Sequence, residues 1–151
     1  MAVIKTSNKK SEPLAKIILD KLFNEGCLDL TFSKIDEIVS KGNKISEGDS
    51  QSISLMLFLE LRKNKSCDNW FWVRGIKKIN ENQFVFHSWL EYEGFVVDPL
   101  PFYEISKENY MPGDILVAKK EQYRKVSGFK QMSLKNEKQV LRWIEKINRR
   151  Y

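Results

Sequence analysis

A two-residue polar break, Glu93-Gly94, separates two strand-like runs, Gln83–Tyr92 and Phe95–Asp98. A link that short folds the chain back on itself, so the runs pair antiparallel as a β-hairpin. The register then follows by counting: Tyr92 stands opposite Phe95, Glu91 opposite Val96, Leu90 opposite Val97 and Trp89 opposite Asp98. His87 becomes the diagonal neighbour of Asp98 on one sheet face, a separation that an imidazole and a carboxyl group can bridge. A four-residue loop keeps this register, whereas a bulged three-residue loop breaks it. An imidazole beside a carboxyl group is the base-and-orienter pair of nucleophilic catalysis, and it is also an ordinary surface pair.

The flanking segments supply the rest of a fold. Residues 1–11 are polar and read as a flexible N-terminus, leaving 12–151 as one domain. Pro13 opens a helical spacing of Leu14, Ile17, Ile18 and Leu22 that Gly26 closes. The capping-box spacing Ser33-Lys-Ile-Asp36 predicts a second helix running to Gly42. After a polar loop at 42–48, a third helix starts at Asp49 or Ser50. It carries Ile53, Leu55, Met56, Leu57, Phe58, Leu59 and Leu61, apolar on every side, and is expected to be buried on most faces. Trp70–Ile76 reads as a strand ahead of the hairpin; Pro99 and Pro101 stop the strand ending at Asp98. Residues 102–113 read as an irregular connection, Ile115–Ala118 as a short strand, and Ser133 as the cap of a last helix bearing Val140, Leu141, Ile144 and Ile147. The expected class is α+β: a buried helix packed on an antiparallel meander, with helices at both ends.

Composition narrows the chemistry. One histidine and two cysteines leave a zinc site almost without ligands, so neither a metal nor a cofactor is expected, and any imidazole chemistry falls to His87. Cys27, in a short link after Gly26, and Cys67, before the first long strand, read as structural. No apolar run approaches the ~18–20 residues of a membrane span, and the opening residues lack the apolar core of a signal peptide. The expectation is a cytoplasmic protein without a membrane partner. The net charge of +6 raises nucleic acid as a partner. The cations are scattered, however, and those from Lys135 to Arg150 fit a solvated helix face.

The segment His87-Ser88-Trp89-Leu90-Glu91-Tyr92, with Gly94 and Asp98-Pro99 behind it, closely resembles the His-Ala-Trp-Val-Glu-Val…Gly…Asp-Pro segment of transglutaminase-like proteins, in the papain-like cysteine peptidase superfamily. The compact spacing is most similar to the leader peptidases of lasso-peptide biosynthesis. In that family an upstream Cys begins a buried helix, which leads to a strand ending in Val-x-Gly. Ser50-Gln51-Ser52-Ile53-Ser54-Leu55-Met56-Leu57 is similar to the family's Cys-x-x-x-Ser/Ala-Leu-x-Leu, and Trp72-Val73-Arg74-Gly75 occupies the strand position. The resemblance spans roughly residues 46–99. It implies a papain-like/transglutaminase-like core with Ser50, His87 and Asp98 as the triad; Trp89, on the sheet face of His87, reads as a wall of the cleft or as an ordinary packing aromatic, and Gln51 as a second substrate-binding side chain.

What the resemblance implies for chemistry is hydrolysis or acyl transfer at a peptide or protein amide. His87 is the general base, Asp98 fixes its tautomer, and N–H groups at the helix start bind the oxyanion. The departure is at the nucleophile, which reads Ser rather than Cys; a register shifted by one or two residues puts Gln51 or Ser52 there. A serine fits an engineered substitution, a natural serine enzyme, or a fold that has lost catalysis. Two other functions stay open. One is a catalytically inactive module that holds a peptide or protein partner in the same cleft. The other is a basic nucleic-acid binder using Trp70-Phe71-Trp72-Val73-Arg74, although strand alternation buries half of those rings.

Overall fold

The computed structural model describes residues 2–3, 18, 22, 29–41, 47–64, 68–100 and 115–150. Its elements are β1 (Ala2–Val3), α1 (Asp29–Ser40), α2 (Glu47–Asn64), β2 (Trp70–Asn80), β3 (Gln83–Tyr92), β4 (Phe95–Asp98), β5 (Leu116–Lys119), α3 (Lys120–Ser127), β6 (Lys130–Lys135) and α4 (Glu137–Arg150). The strands form one antiparallel sheet in the order β1-β5-β4-β3-β2-β6, and the class is α+β. No described helix is long and apolar enough to cross a membrane.

The hairpin register matches the count along the sequence at three of the four expected pairs, and the ladder stops short of Trp89 and Asp98. Tyr92 pairs with Phe95, Glu91 with Val96 and Leu90 with Val97. Glu93 and Gly94 both take positive φ, 47° and 83°. A two-residue turn needs that conformation to match the twist of its strands, and glycine adopts it without steric cost.

Alternation along β3 sends its side chains to two different cores. Leu90 and Tyr92 join Trp70, Trp72 and Val97 on the face covered by Leu57, Phe58 and Leu61 of α2 and by Val140, Trp143 and Ile144 of α4. Burying each of the three α2 side chains contributes about 1.5–3 kcal/mol. Trp72 is held at both ends of its ring: its Nε1–H donates to Ser54 Oγ at 2.9 Å, and Trp143 packs 5.1 Å away between centroids. The opposite face holds a second core of Val73, Trp89, Val96, Leu116, Tyr123 and Phe129. The sheet is covered on both sides at its centre.

Several boundaries differ from expectation. The helix expected from Ser33 begins at Asp29, so Ser33 is an exposed mid-helix residue. The buried helix begins at Glu47 rather than Asp49 or Ser50, which places Ser50 in its first turn. Its Leu55, Met56 and Leu59 are half-buried, and only its inward side, with Ile53, Leu57 and Phe58, is fully enclosed. The last helix begins at Glu137, not at Ser133, which lies in β6. Its cap is Asn136, whose Oδ1 accepts from the Gln139 amide at 3.0 Å while Gln139 Oε1 accepts from the Asn136 amide at 2.9 Å. That reciprocal box satisfies two helix-terminal donors, which a serine four residues outside the helix cannot do. Strand β2 runs on to Asn80, and β5 is shifted by one residue. Elements α3 and β6 were not anticipated, nor was the pairing of Ala2–Val3 with Val117 and Leu116. Of the expected first helix only Ile18 and Leu22 are described; both are helical and buried. The rest of it, the remainder of 1–11, Cys27, Cys67 and the 102–113 connection lie outside the described residues.

Gly75 pairs with His87 across β2 and β3, and the ring of Trp89 lies over it. A Cβ at residue 75 would overlap that ring, which is enclosed on its other sides, and would stand 3.1 Å from the Lys130 carbonyl oxygen. Gly75→Ala is therefore expected to lose about 1–3 kcal/mol of stability through overpacking, read as a lower midpoint in urea unfolding followed by tryptophan fluorescence.

Candidate functional site

His87 stands on the same face of β3 as Trp89 and Glu91 and is only 4% exposed. Its Nε2 lies 2.7 Å from Asp98 Oδ2, and the Asp98 side chain is completely enclosed. The carboxyl group is held by two further donors. The Tyr123 hydroxyl donates to Oδ2 at 2.9 Å, and the Leu100 amide donates to Oδ1 at 3.1 Å. A carboxylate fixed by donors on both oxygens orients the imidazole rather than following it. With the carboxylate as acceptor, Nε2 carries the ring proton, and Nδ1 is the nitrogen that can act as a base.

The imidazole is packed as well as hydrogen-bonded. Phe129 stacks on it at 5.3 Å between centroids and 25° between planes, and Trp89 lies 6.1 Å away. Phe129 reaches that position because α3 ends in a left-handed glycine. Gly128, at φ 75°, donates its amide to the Arg124 carbonyl oxygen, and Ser127 Oγ accepts from the Phe129 amide at 3.2 Å. The far end of α3 is tied to the hairpin, where the Lys120 amide donates to the Gly94 carbonyl oxygen at 3.0 Å and Lys120 Nζ pairs with Glu91 at 3.1 Å. Tyr123 is thereby suspended over Asp98.

Ser50 approaches from the other side. The paired register of β3 with β4 ends at Leu90–Val97. Beyond it, the Ser88 amide donates to Ser50 Oγ at 3.3 Å. Ser50 is 2% exposed and meets the backbone of the residue that follows His87, where the two strands part. Next to it opens a cleft of about 200 Å³ lined by Gly48, Gln51, Arg74, Phe86, His87 and Ser88.

Each sequence-predicted residue can now be located. His87 and Asp98 are in direct contact; Ser50 touches the backbone beside His87; Gln51 lines the cleft. Trp89 does not line it. Its ring is enclosed in the second core against Tyr123 and Phe129, and its Nε1 lies 3.4 Å from Glu91 Oε1. Ser52, the alternative nucleophile position, is exposed on α2 and borders a separate groove against α1. Trp70 and Trp72 are enclosed in the main core, so they offer no stacking platform for a nucleic-acid base.

Tyr123 and Phe129 escaped the sequence reading. The available signals were local: a run of helix formers, Lys120-Glu121-Gln122-Tyr123-Arg124-Lys125, followed by Gly128 at a helix exit. Compared with protein-family models, curated proteins and solved structures, the chain matches none.

Because the Tyr123 hydroxyl is one of the donors on a fully enclosed carboxyl group, its removal leaves that acceptor short of a partner. Tyr123→Phe is expected to cost about 1–3 kcal/mol in chemical denaturation, with little change in the circular dichroism of the folded protein.

Proposed function

We propose that the chain has a transglutaminase-like, papain-like core and that Ser50, His87 and Asp98 are its acyl-transfer triad, acting on a peptide or protein amide. The observation that carries this reading is the enclosed His87–Asp98 contact of 2.7 Å standing beside the residue whose amide meets Ser50 Oγ. An imidazole held by a fixed carboxylate, on the residue preceding the amide that meets a hydroxyl in the first turn of a long helix, supports such chemistry.

In the proposed reaction His87 Nδ1 accepts the Ser50 proton as Oγ attacks the amide carbonyl. The imidazolium formed is stabilised by Asp98, which keeps its own two other donors throughout. The oxyanion of the tetrahedral intermediate is met by backbone N–H groups in the first turn of α2, where helix amides lack intrahelical partners. His87 then returns the proton to the leaving amine, and water or a second amine releases the acyl group from Oγ.

The serine weighs on the rate. A hydroxyl is far less acidic than a thiol, so His87 must remove its proton during attack instead of resting as an ion pair. Asp49 in the same helical turn further disfavours an alkoxide. A second reading follows from the burial of Ser50 and the amide already donated to its oxygen: the serine is a tether between helix and sheet, and the cleft is a peptide-holding site without turnover.

Labelling Ser50→Cys with limiting iodoacetamide at pH 6.5, mapped by peptide mass, separates the two. An unperturbed thiol near pKa 8.5 is only about one per cent ionised at that pH. A thiol ionised by the helix and an oriented imidazole is expected to react roughly tenfold faster or more, and Ser50→Cys/His87→Ala is expected to lose that advantage. Equal rates in the two variants would remove the triad and leave the tether.

A further inference from the structure

Among the described residues, the lining of the cleft beside His87 holds a permanent cation and no carboxyl group. The cation is Arg74, which stands opposite Ser88 in the β2–β3 register and is half-buried. Two cationic side chains elsewhere are paired within the fold: part-buried Lys120 with Glu91 at 3.1 Å, and exposed Arg62 with Glu137 at 2.8 Å. Among the described residues the Arg74 side chain has no hydrogen-bond or ion-pair partner. A guanidinium drawn partly out of water keeps five donors to satisfy. Placed in the wall of a cleft, it satisfies them best with an anion brought from outside.

The shape of the cleft selects the anion. At about 200 Å³ it has room on the scale of one amino-acid side chain or chain end. The planar guanidinium fork matches a carboxylate through two parallel hydrogen bonds. Gln51 of α2 adds a neutral amide to the lining, and Phe86 of β3 an apolar ring.

We propose that Arg74 is a specificity residue that binds a carboxylate of the peptide next to the bond presented to residue 50. The inference rests on reading this cleft as the acyl-transfer site, and two sources share the chemistry: an acidic side chain, or the terminal carboxylate of a peptide. Arg74 touches no reacting atom; it fixes which peptide lies in the cleft and how.

The test is binding to the unmodified full chain, uniformly labelled with nitrogen-15, followed through the Arg74 Nε–H and Ser88 amide resonances. The probes are N-acetyl-Gly-Glu-Gly-amide, N-acetyl-Gly-Gln-Gly-amide and N-acetyl-Gly-Gln-Gly with a free carboxyl terminus. At low salt, at least one carboxylate peptide is expected to bind on the order of tenfold more tightly than the neutral one, as one charge-assisted pair provides. Which one does so identifies the source. Arg74→Gln should abolish the preference with folding intact by circular dichroism, and Arg74→Lys should keep part of it. Equal affinity for the three peptides, no binding of any, or a preference that survives Arg74→Gln overturns the proposal. The titration does not use the reactivity of residue 50. Carboxylate preference without His87-dependent labelling therefore rejects the acyl-transfer reading alone, and the converse rejects this inference alone.

Discussion

The turn at Glu93-Gly94 is the constraint from which the rest of the site is derived. Two consecutive residues with positive φ permit a single way for β4 to lie on β3, and a slip by one residue would move every β4 side chain to the other face. Asp98 would then point toward α2, and His87 would lose its partner. The same turn receives the first amide of α3, so the segment that carries Tyr123 and Phe129 is anchored to the hairpin whose side chains it covers. Register and lid share one point of attachment.

The two cores differ in kind. The face under α2 and α4 is mainly aliphatic and aromatic packing, with the Trp72 to Ser54 hydrogen bond inside it. The face under α3 surrounds polar groups, and each of them is answered: Asp98 by three donors, Glu91 by Lys120 and Trp89, and the Phe129 amide by Ser127. A buried polar cluster costs stability unless it is fully satisfied. The aromatic residues around it, Trp89, Tyr123 and Phe129, keep water from competing for those bonds.

How far the sequence could be read depended on what each segment buries. The hairpin was legible because a two-residue link fixes the pairing of its strands, and counting along them made His87 and Asp98 diagonal neighbours on one face. Helix α2 was legible from its apolar density, though its start was not, since helix ends depend on capping contacts and vary by a residue or two. Segments α3 and β6 were illegible for an opposite reason. Tyr123 and Ser127 are the only buried residues of α3, and β6 is exposed along its first half, so neither shows the apolar repeat that marks a core element. A few apolar side chains in a polar stretch close the site, and periodicity is blind to such sparse anchors.

The order of synthesis adds a consequence. His87 and Asp98 leave the ribosome well before Tyr123 and Phe129, and Lys130–Lys135 must still emerge to flank β2. In the nascent chain the imidazole therefore lacks its aromatic wall, and Asp98 lacks its phenol donor. A partly made molecule has the hairpin but not the dry pocket around it. The site is completed late in translation, when the chain returns across the face of a sheet whose central strands were laid down first.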